Sequence, residues 1–322
     1  MLPRVPRKYV PLLSTAVVWA LLYAVACVLY PGFFSLRVFA DFFSDNSFLG
    51  IIAVGMTFVI LSGGIDLSVG SMVALCSIVL AVLVELHGWH PLCAIAVVLA
   101  LGTTLGLGTG SIIRYFGLPP FIVTLGGMFF ARGLALIVRN ESVPIQHGFY
   151  RAVTTWALTV GDGRVRVTSL VFLAVVAVGI YLAACTIFGR NVYAVGGNEE
   201  AALLMGVPVG WTKQRVYALS GFCSALAGVV FTFYGSSGNP AAAVGMELDA
   251  IAAVVIGGTL LSGGVGYVFG TLIGVLIFGT IQTAIIFDGR LSSWWTRVAI
   301  GALLLLFILL QKLLARPVAS RR

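Results

Sequence analysis

The polar residues of this chain include few that could carry out a reaction. Its three lysines are Lys8, Lys213 and Lys312, and none stands in the G-x-x-x-x-G-K-[ST] pattern that holds the phosphates of ATP. The H-E-x-x-H and G-x-S-x-G patterns are also missing from the sequence. His87 and His90 have the spacing of a ligand pair, but we interpret them as ordinary loop residues. The sequence therefore predicts no catalytic residues, no metal site and no cofactor, and the chain is not expected to be an enzyme.

An acidic residue between two apolar segments is the clearest remaining candidate. Asp66 stands at the joint of these segments, and ionisable groups in such surroundings are costly and often functional. The alternative is structural, because Asp66 could cap a helix that we expect to begin at Leu67. Ser68 and Ser71 could line a path, or bond back to their own helix. We expect Asp66 to be more structural than substrate-binding.

Five further residues have both a structural and a functional interpretation. Glu247 and Asp249 stand at the start of an apolar segment, where the helix dipole favours negative charge. Arg132 lies close enough to a segment end for its side chain to reach the interface. Trp294 and Trp295 begin the last apolar segment, as interfacial aromatic residues do, with stacking against a sugar as the alternative. We expect the structural role in each case.

One short stretch has every signal of an isolated helix. An asparagine that can cap is followed by two glutamates in the first turn, then by helix formers, a glycine stop and Pro208. Two turns of helix are unstable alone in water, so its own domain or a partner protein must hold it. Its apolar residues favour a partner protein. The predicted helix covers 199–205, and the residues concerned are Asn198, Glu199, Glu200, Ala201, Ala202, Leu203, Leu204, Met205 and Gly206.

The amino-acid composition indicates whether these elements fold in water or in a membrane. Of the 322 residues, 60% are hydrophobic and 9% are charged, whereas soluble domains carry about 25% charged residues. The net charge of +8 comes from basic residues near the ends of apolar segments, which points to membrane orientation and not to nucleic acid. The sequence predicts an all-α protein with several membrane-spanning helices in a lipid bilayer.

Ten apolar segments follow one another as a single membrane domain over 1–322. Lys and Arg are more frequent in the connections that lie on the side of both termini, so the positive-inside rule places the N- and C-termini in the cytoplasm. An outer loop is predicted at 140–167 and an internal loop at 189–213. The ten predicted spans are 12–30, 48–65, 67–86, 92–112, 119–138, 168–188, 214–234, 248–261, 267–287 and 293–312.

Two stretches of the sequence resemble each other. Ile51–Ser71 and Ile251–Thr271 share eight identities in 21 positions, including Ser-Gly-Gly in both. Transporters are often built from repeats, although glycine-rich apolar sequence also matches by chance. Glycine is frequent inside the spans, and we expect it to serve close helix packing.

The stretches Ser62–Ser71, Glu247–Gly264 and Gly196–Gly206 resemble the signature and coupling helix of the ribose-type sugar permeases of ATP-binding-cassette (ABC) importers. Within that family, Asp45–Met56 and Phe287–Thr296 are most similar to the galactofuranose permeases. The residues of the signature stretches that we take as candidates for the translocation path are Gly63, Gly64, Asp66, Ser68, Gly70, Glu247, Asp249, Gly263 and Gly264.

The resemblance implies a permease in the bacterial inner membrane that imports a sugar. Galactofuranose is expected, with another monosaccharide such as ribose as the alternative. The implied partners are an ABC ATPase subunit that docks on the predicted short helix, a second and different permease chain, and a periplasmic sugar-binding protein. An ion-coupled secondary transporter would also contain repeats, but it usually carries a relay of embedded ionisable groups. A membrane-embedded enzyme would need a catalytic group set, which the sequence lacks.

Overall fold

The computed structural model describes residues 10–290, 292 and 294–314, and these residues form a bundle that is mostly helical. Two small antiparallel pairs of strands, β1 with β4 and β2 with β3, lie between helices. The strands are β1 (Val143–Pro144), β2 (Ala157–Val160), β3 (Gly163–Arg166) and β4 (Ser237–Gly238). The helices are α1 (Val10–Leu29), α2 (Leu36–Asp45), α3 (Ser47–Leu61), α4 (Val69–Ala81, continued by a π-helical turn over Val82–Leu86), α5 (Pro91–Phe116), α6 (Pro120–Val138), α7 (Gly148–Thr155), α8 (Val167–Cys185), α9 (Ile187–Gly197), α10 (Glu199–Leu204), α11 (Val209–Gly235), α12 (Met246–Ile256), α13 (Val268–Asp288) and α14 (Trp294–Leu314).

Local sequence signals set several helix ends. Ser35 caps α2 by accepting a hydrogen bond from the Val38 amide, and Thr186 caps α9 in the same way, as short polar side chains do at N-caps. α5 and α6 both have proline in the first turn, where the missing N–H costs nothing. Gly117 ends α5 with φ of +63°, the left-handed conformation that glycine adopts most readily.

Among the described residues, seven helices are long and apolar enough to span a membrane. They become eight if α2 and α3, which meet at a bend of 56°, form one broken span. All ten predicted segments contain helix, but the count of ten spans is not confirmed. The predicted segment 248–261 forms the 11-residue helix α12, which at 1.5 Å per residue reaches only about 16 Å of the ~30 Å hydrocarbon core. In α14, the stretch Trp294–Leu309 is apolar but is too short to count as a span by the same test.

The cytoplasmic placement of both termini is likewise not confirmed. That prediction depends partly on basic residues outside the described part of the chain, including Arg4, Arg7 and Lys8 before α1 and Arg316 after α14. The two ends of the bundle are therefore named here by their contents. The α10 end carries α9, α10, the end of α5 and the start of α11. The β end carries the four strands and α7.

Helices differ in how deeply they lie within the bundle. About 72% of the residues in the span formed by α4 with its π-helical turn are buried inside the protein, as are 67% in an 18-residue apolar stretch of α11, against 11% in residues 12–29 of α1. α5 packs on α11 through Gly102, Gly106 and Gly110. A Cβ on Gly106 would overlap the Tyr217 carbonyl oxygen, so only glycine permits this approach. The expected use of glycine for close helix packing is confirmed here.

The predicted outer loop at 140–167 contains β1, α7, β2 and β3. The Glu85 carboxylate accepts hydrogen bonds from the backbone amides of Gln146 and His147 and so ties this segment to the end of α4. The Tyr150 hydroxyl pairs with Thr232 of α11 at 2.9 Å. Burial raises the pKa of Tyr150 to about 12, so the phenol keeps its proton at neutral pH. His90, interpreted from the sequence as an ordinary loop residue, caps α5 by accepting a hydrogen bond from the Leu92 amide.

Candidate functional site

Two Ser-Gly-Gly turns lie at the α10 end. The first, at 62–64, follows α3, and the second, at 262–264, follows α12. Gly63 has φ of +81° and Gly263 has φ of +85°, a region in which a Cβ is strained and glycine is not. Gly264 also has a positive φ, of +74°, whereas Gly64 does not, so the two similar stretches both form glycine turns that differ at the second glycine.

The two turns contact each other and the end of α9 through backbone atoms. The Gly264 amide donates to the Leu61 carbonyl oxygen at 2.9 Å. A Cβ on Gly196 would overlap that same carbonyl, and a Cβ on Gly263 would press on the Gly63 backbone. Side chains at these positions would thus separate the elements. We call this contact the glycine junction, formed by Gly63, Gly64, Gly196, Gly197, Gly263 and Gly264.

α10 begins directly after the glycine junction and has the predicted caps. The Asn198 Oδ1 accepts a hydrogen bond from the Ala201 amide at 2.9 Å. The Lys213 ammonium contacts both carboxylate oxygens of Glu199 at 2.7 Å, which ties α10 to α11. Gly206 has φ of +80° and ends the turn. The helix ends at Leu204, one residue earlier than predicted.

The side chains of α10 separate into a buried side and an exposed side. Ala202 is fully buried against Val195 and Val209. This contact fixes the helix on its own domain, so the domain supplies part of the support that the sequence analysis assigned to a partner. The three large apolar side chains are left exposed, namely Leu203 at 64%, Leu204 at 88% and Met205 at 72%.

Asp66 is buried and bonded to two serines. Its Oδ1 accepts from the Ser68 amide at 2.9 Å and from the Ser68 hydroxyl at 2.6 Å, and its Oδ2 accepts from the Ser220 hydroxyl at 2.7 Å. The helix α4 begins at Val69 with Ser68 as its N-cap residue. The expectation of a helix starting at Leu67 is therefore wrong by two residues, and Asp66 orders the turn before α4 while joining it to α11.

The segment around Asp66 crosses between helices without being helical. The Ile65 carbonyl oxygen accepts from the Thr124 hydroxyl of α6 and from the Tyr217 hydroxyl of α11, both at 3.4 Å. No described Lys, Arg or His side chain lies within 4.0 Å of Asp66. The carboxylate is thus stabilised by hydrogen bonds alone, which is costly for a buried charge.

Ser220 belongs to this site and was not identified from the sequence. It is fully buried in α11, and Ser224 lies one turn further on the same helix, also buried. The Ser224 hydroxyl donates to the Ser220 carbonyl oxygen at 2.8 Å. Two serines four residues apart beside Gly221 were the available signal, because they place small polar groups on one face of a long apolar helix.

Arg132 does not extend to the interface as expected. Its guanidinium donates to the carbonyl oxygens of Pro240 and Ala242 at 2.7 and 2.8 Å. It therefore holds the non-helical segment 239–245, which lies between β4 and α12. Ala243 in that segment has φ of +59°, a conformation that costs a residue with a side chain about 1 kcal/mol or more. The interface explanation failed because a carbonyl pair inside the protein competes with water for the guanidinium.

The acidic pair at the start of α12 points in two directions. Glu247 and Asp249 lie in the first turn, as predicted. The Glu247 carboxylate lies against Gly70 of α4, where a Cβ would overlap it. Asp249 instead lines a pocket that also contains Trp294 of α14. Trp295 faces the other way and lines an apolar pocket beside α1.

These arrangements can position polar groups but show no means of bond cleavage. Asp66 contacts two hydroxyls, yet a serine nucleophile also needs a base such as histidine. Two of the three histidines, His90 and His147, cap helices at the β end, and His87 follows the end of α4. In the described part of the chain, these polar contacts join segments that are distant in sequence.

Comparisons with known proteins agree on the class of this chain. A family described as "Branched-chain amino acid transport system / permease component" matches residues 38–308. The chain is 52% identical to the inner membrane ABC transporter permease protein YjfF of Escherichia coli K12, over 95% of this chain and 93% of that protein. It is 42% identical to the ribose import permease protein RbsC of Haemophilus influenzae, over 90% and 89%. It is 35% identical to the fructose import permease protein FruG of Bifidobacterium longum, over 96% and 92%. No solved structure gives a significant match.

Proposed function

Because the chain belongs to the family of the branched-chain amino acid transport system permease components, we propose that it is the membrane-spanning permease subunit of an ATP-driven sugar importer. It is a multi-pass protein of the inner membrane, with seven described helices that can span a bilayer. In this proposal, a separate ATPase subunit binds the membrane bundle at the exposed helix α10 and acts on the bundle through it.

The proposed cargo is a sugar, although the family description names amino acids. Relatives at 42% and 35% identity over most of both chains are named ribose and fructose import permeases. We put galactofuranose first because Asp45–Met56 and Phe287–Thr296 are most similar to galactofuranose permeases, with ribose or another monosaccharide as the alternative. The cargo is best tested on the cognate periplasmic binding protein, by titration with a panel of sugars.

The exposed apolar side of α10 is the observation that carries the proposal. Leu204 is 88% exposed on a helix that caps, an ion pair and the buried Ala202 all hold in place. A rigid exposed apolar patch is typical of a protein interface. The partner proposed here is the ATPase subunit, because α10 directly follows the glycine junction in the chain. A movement of α10 would therefore displace the junction and both Ser-Gly-Gly turns together.

The full importer is proposed to contain a second, different permease chain and a periplasmic sugar-binding protein. A path between two permeases would let rocking of one against the other alternate access to the cargo. We propose a heterodimer of permeases because the sequence is similar to that of galactofuranose permeases. The binding protein is expected at the end opposite α10, where the β strands and α7 lie.

Replacing Leu203 and Leu204 with aspartate tests the docking proposal. We expect co-purification of the ATPase subunit to fall at least about tenfold, because a charged pair would have to be buried in the interface. Membrane insertion should be unchanged. The matched control is Leu118→Asp, which adds a charge to a half-exposed leucine of the neighbouring connection at the same end. Equal co-purification for the double variant and the wild type would contradict the docking role of α10.

Reconstitution tests the importer itself. Liposomes containing this chain, the ATPase and the binding protein should take up labelled sugar with ATP only when the second permease is included. Uptake without the second permease would exclude the heterodimer and leave the importer. Uptake driven by an ion gradient with no ATPase present would exclude the importer.

A further inference from the structure

A pocket lined by both polar and apolar side chains lies between α12, α13 and α14. Its volume is about 310 Å³, at the small end of the ~300–1,000 Å³ usual for small-molecule sites. It extends from Phe278 at the middle of α13 to Ile286 near the end of that helix. We call it the Asp249 pocket, and its residues are Asp249, Phe278, Gln282, Ile285, Ile286, Trp294, Thr296, Arg297 and Ile300.

Four polar side chains from three helices converge in this pocket. Asp249 offers only acceptors, Arg297 only donors, and Gln282 and Thr296 offer both. Among the described residues, none of these four side chains is paired in a salt bridge, and Arg297 acts on Asp249 electrostatically without coming within 4.0 Å of it. Gln282 and Arg297 are exposed and Asp249 and Thr296 are half-buried, so the donors and acceptors of all four side chains are accessible from outside. A ligand with several hydroxyl groups would bind to them.

The pocket also has a fixed aromatic wall. The Arg297 guanidinium lies 4.9 Å from the centroid of the Trp294 ring, a cation–π contact that helps hold the indole in place. Trp294 remains 66% exposed. An indole face beside mixed donors and acceptors suits a ring that has hydroxyl groups on its edge and C–H groups on its face. Such a ring is a monosaccharide.

We propose that the Asp249 pocket binds the neutral monosaccharide that the permease carries, and this rests on the proposed function. The Asp249 carboxylate accepts hydrogen bonds from hydroxyl groups on one side of the sugar, and the Arg297 guanidinium donates to hydroxyl groups on the opposite side. Gln282 and Thr296 bind the hydroxyl groups between them, and Trp294 packs against the sugar face. An amino acid zwitterion would occupy Asp249 and Arg297 with its two charges and leave Gln282 and Thr296 unused, so the set of four favours a polyol.

Trp294 and its neighbour Trp295 provide a matched pair for the first test. Trp294→Ala removes the wall of the Asp249 pocket, whereas Trp295→Ala changes the separate apolar pocket beside α1. In the reconstituted importer, sugar uptake per ATP hydrolysed should fall at least about tenfold for Trp294→Ala and for Gln282→Ala, the loss expected for central binding residues. Trp295→Ala should lose less than about twofold. Equal losses for Trp294→Ala and Trp295→Ala would overturn the proposal. So would weaker co-purification of the second permease with Trp294→Ala, because the pocket would then be an interface between permeases.

A second test needs neither ATP nor the partners. The tryptophan fluorescence of the purified chain is titrated with D-ribose, D-galactose and, separately, L-leucine. A saturable change with a sugar that Trp294→Phe abolishes and Trp295→Phe retains supports the pocket even if the importer itself fails in reconstitution. A change with L-leucine alone, or none with any sugar, overturns it.

Discussion

The two Ser-Gly-Gly turns share a left-handed first glycine but have different surroundings. After the first, Asp66 accepts three hydrogen bonds and joins the chain to Ser220 of α11. After the second, the Gly266 carbonyl oxygen accepts one bond from the Tyr193 hydroxyl at 2.8 Å. The buried Thr259 hydroxyl nearby has no described partner. The described side-chain hydrogen bonds beside the two turns therefore differ.

The glycines and the polar residues of these two turns therefore have different roles. The shared turns let two backbones approach closely beside α9, so the glycines are required by geometry. The polar groups differ because each turn packs against different helices. The first copy is fixed firmly inside the bundle, whereas the second follows α12, the short helix that also presents Asp249 to its pocket. We infer that the second turn is the one with more freedom to move when α10 is displaced.

The largest effect is expected from a side chain inside the glycine junction. Gly264→Val places a branched side chain at φ of +74° and against the Gly197 backbone. We expect a loss of about 4 kcal/mol or more in stability, which would abolish expression of folded protein. Gly126→Val is the control, since no atom lies within 4 Å of a Cβ added there. Thermal unfolding in detergent, read by loss of monodisperse protein, measures both. Similar stability of Gly264→Val and Gly126→Val would show that the turns do not need to touch.

An intermediate effect is expected where the first turn is anchored. Asp66→Leu leaves the Ser220 hydroxyl and the Ser68 amide without an acceptor, at a cost of about 1–3 kcal/mol each. Expression and transport should both fall. Asp66→Asn keeps an acceptor for Ser68 and gains a donor for Ser220, so it should keep most transport. Normal expression of Asp66→Asn with no transport would show that the charge itself is required.

The comparison also separates what the sequence could predict from what it could not. The helix α10 was predicted to within one residue because its caps, from Asn198 to Gly206, are local signals. Each of the ten predicted apolar segments contains helix because an apolar run is also a local signal, but the count of ten spans is not confirmed. Arg132 was placed wrongly, because its carbonyl partners lie over 100 residues away in the segment 239–245. Local sequence signals predict the ends of helices, whereas a buried polar contact depends on the packing of segments that are distant in sequence.

The smallest effect is expected at the second turn, from a buried hydroxyl that has no described partner. Thr259→Val keeps the shape of the side chain and removes the polar atom, so it should leave stability within about 0.5 kcal/mol or raise it. Thr57→Val is the control, because the Thr57 hydroxyl of the first repeat has a partner, the Thr271 hydroxyl at the end of the second repeat, at 2.7 Å. That change should cost about 1–3 kcal/mol because it leaves Thr271 unpaired. The same thermal unfolding measurement compares the two. A loss for Thr259→Val as large as that for Thr57→Val would mean that the second turn is secured by a polar contact as well, and the inferred difference in freedom between the turns would be wrong.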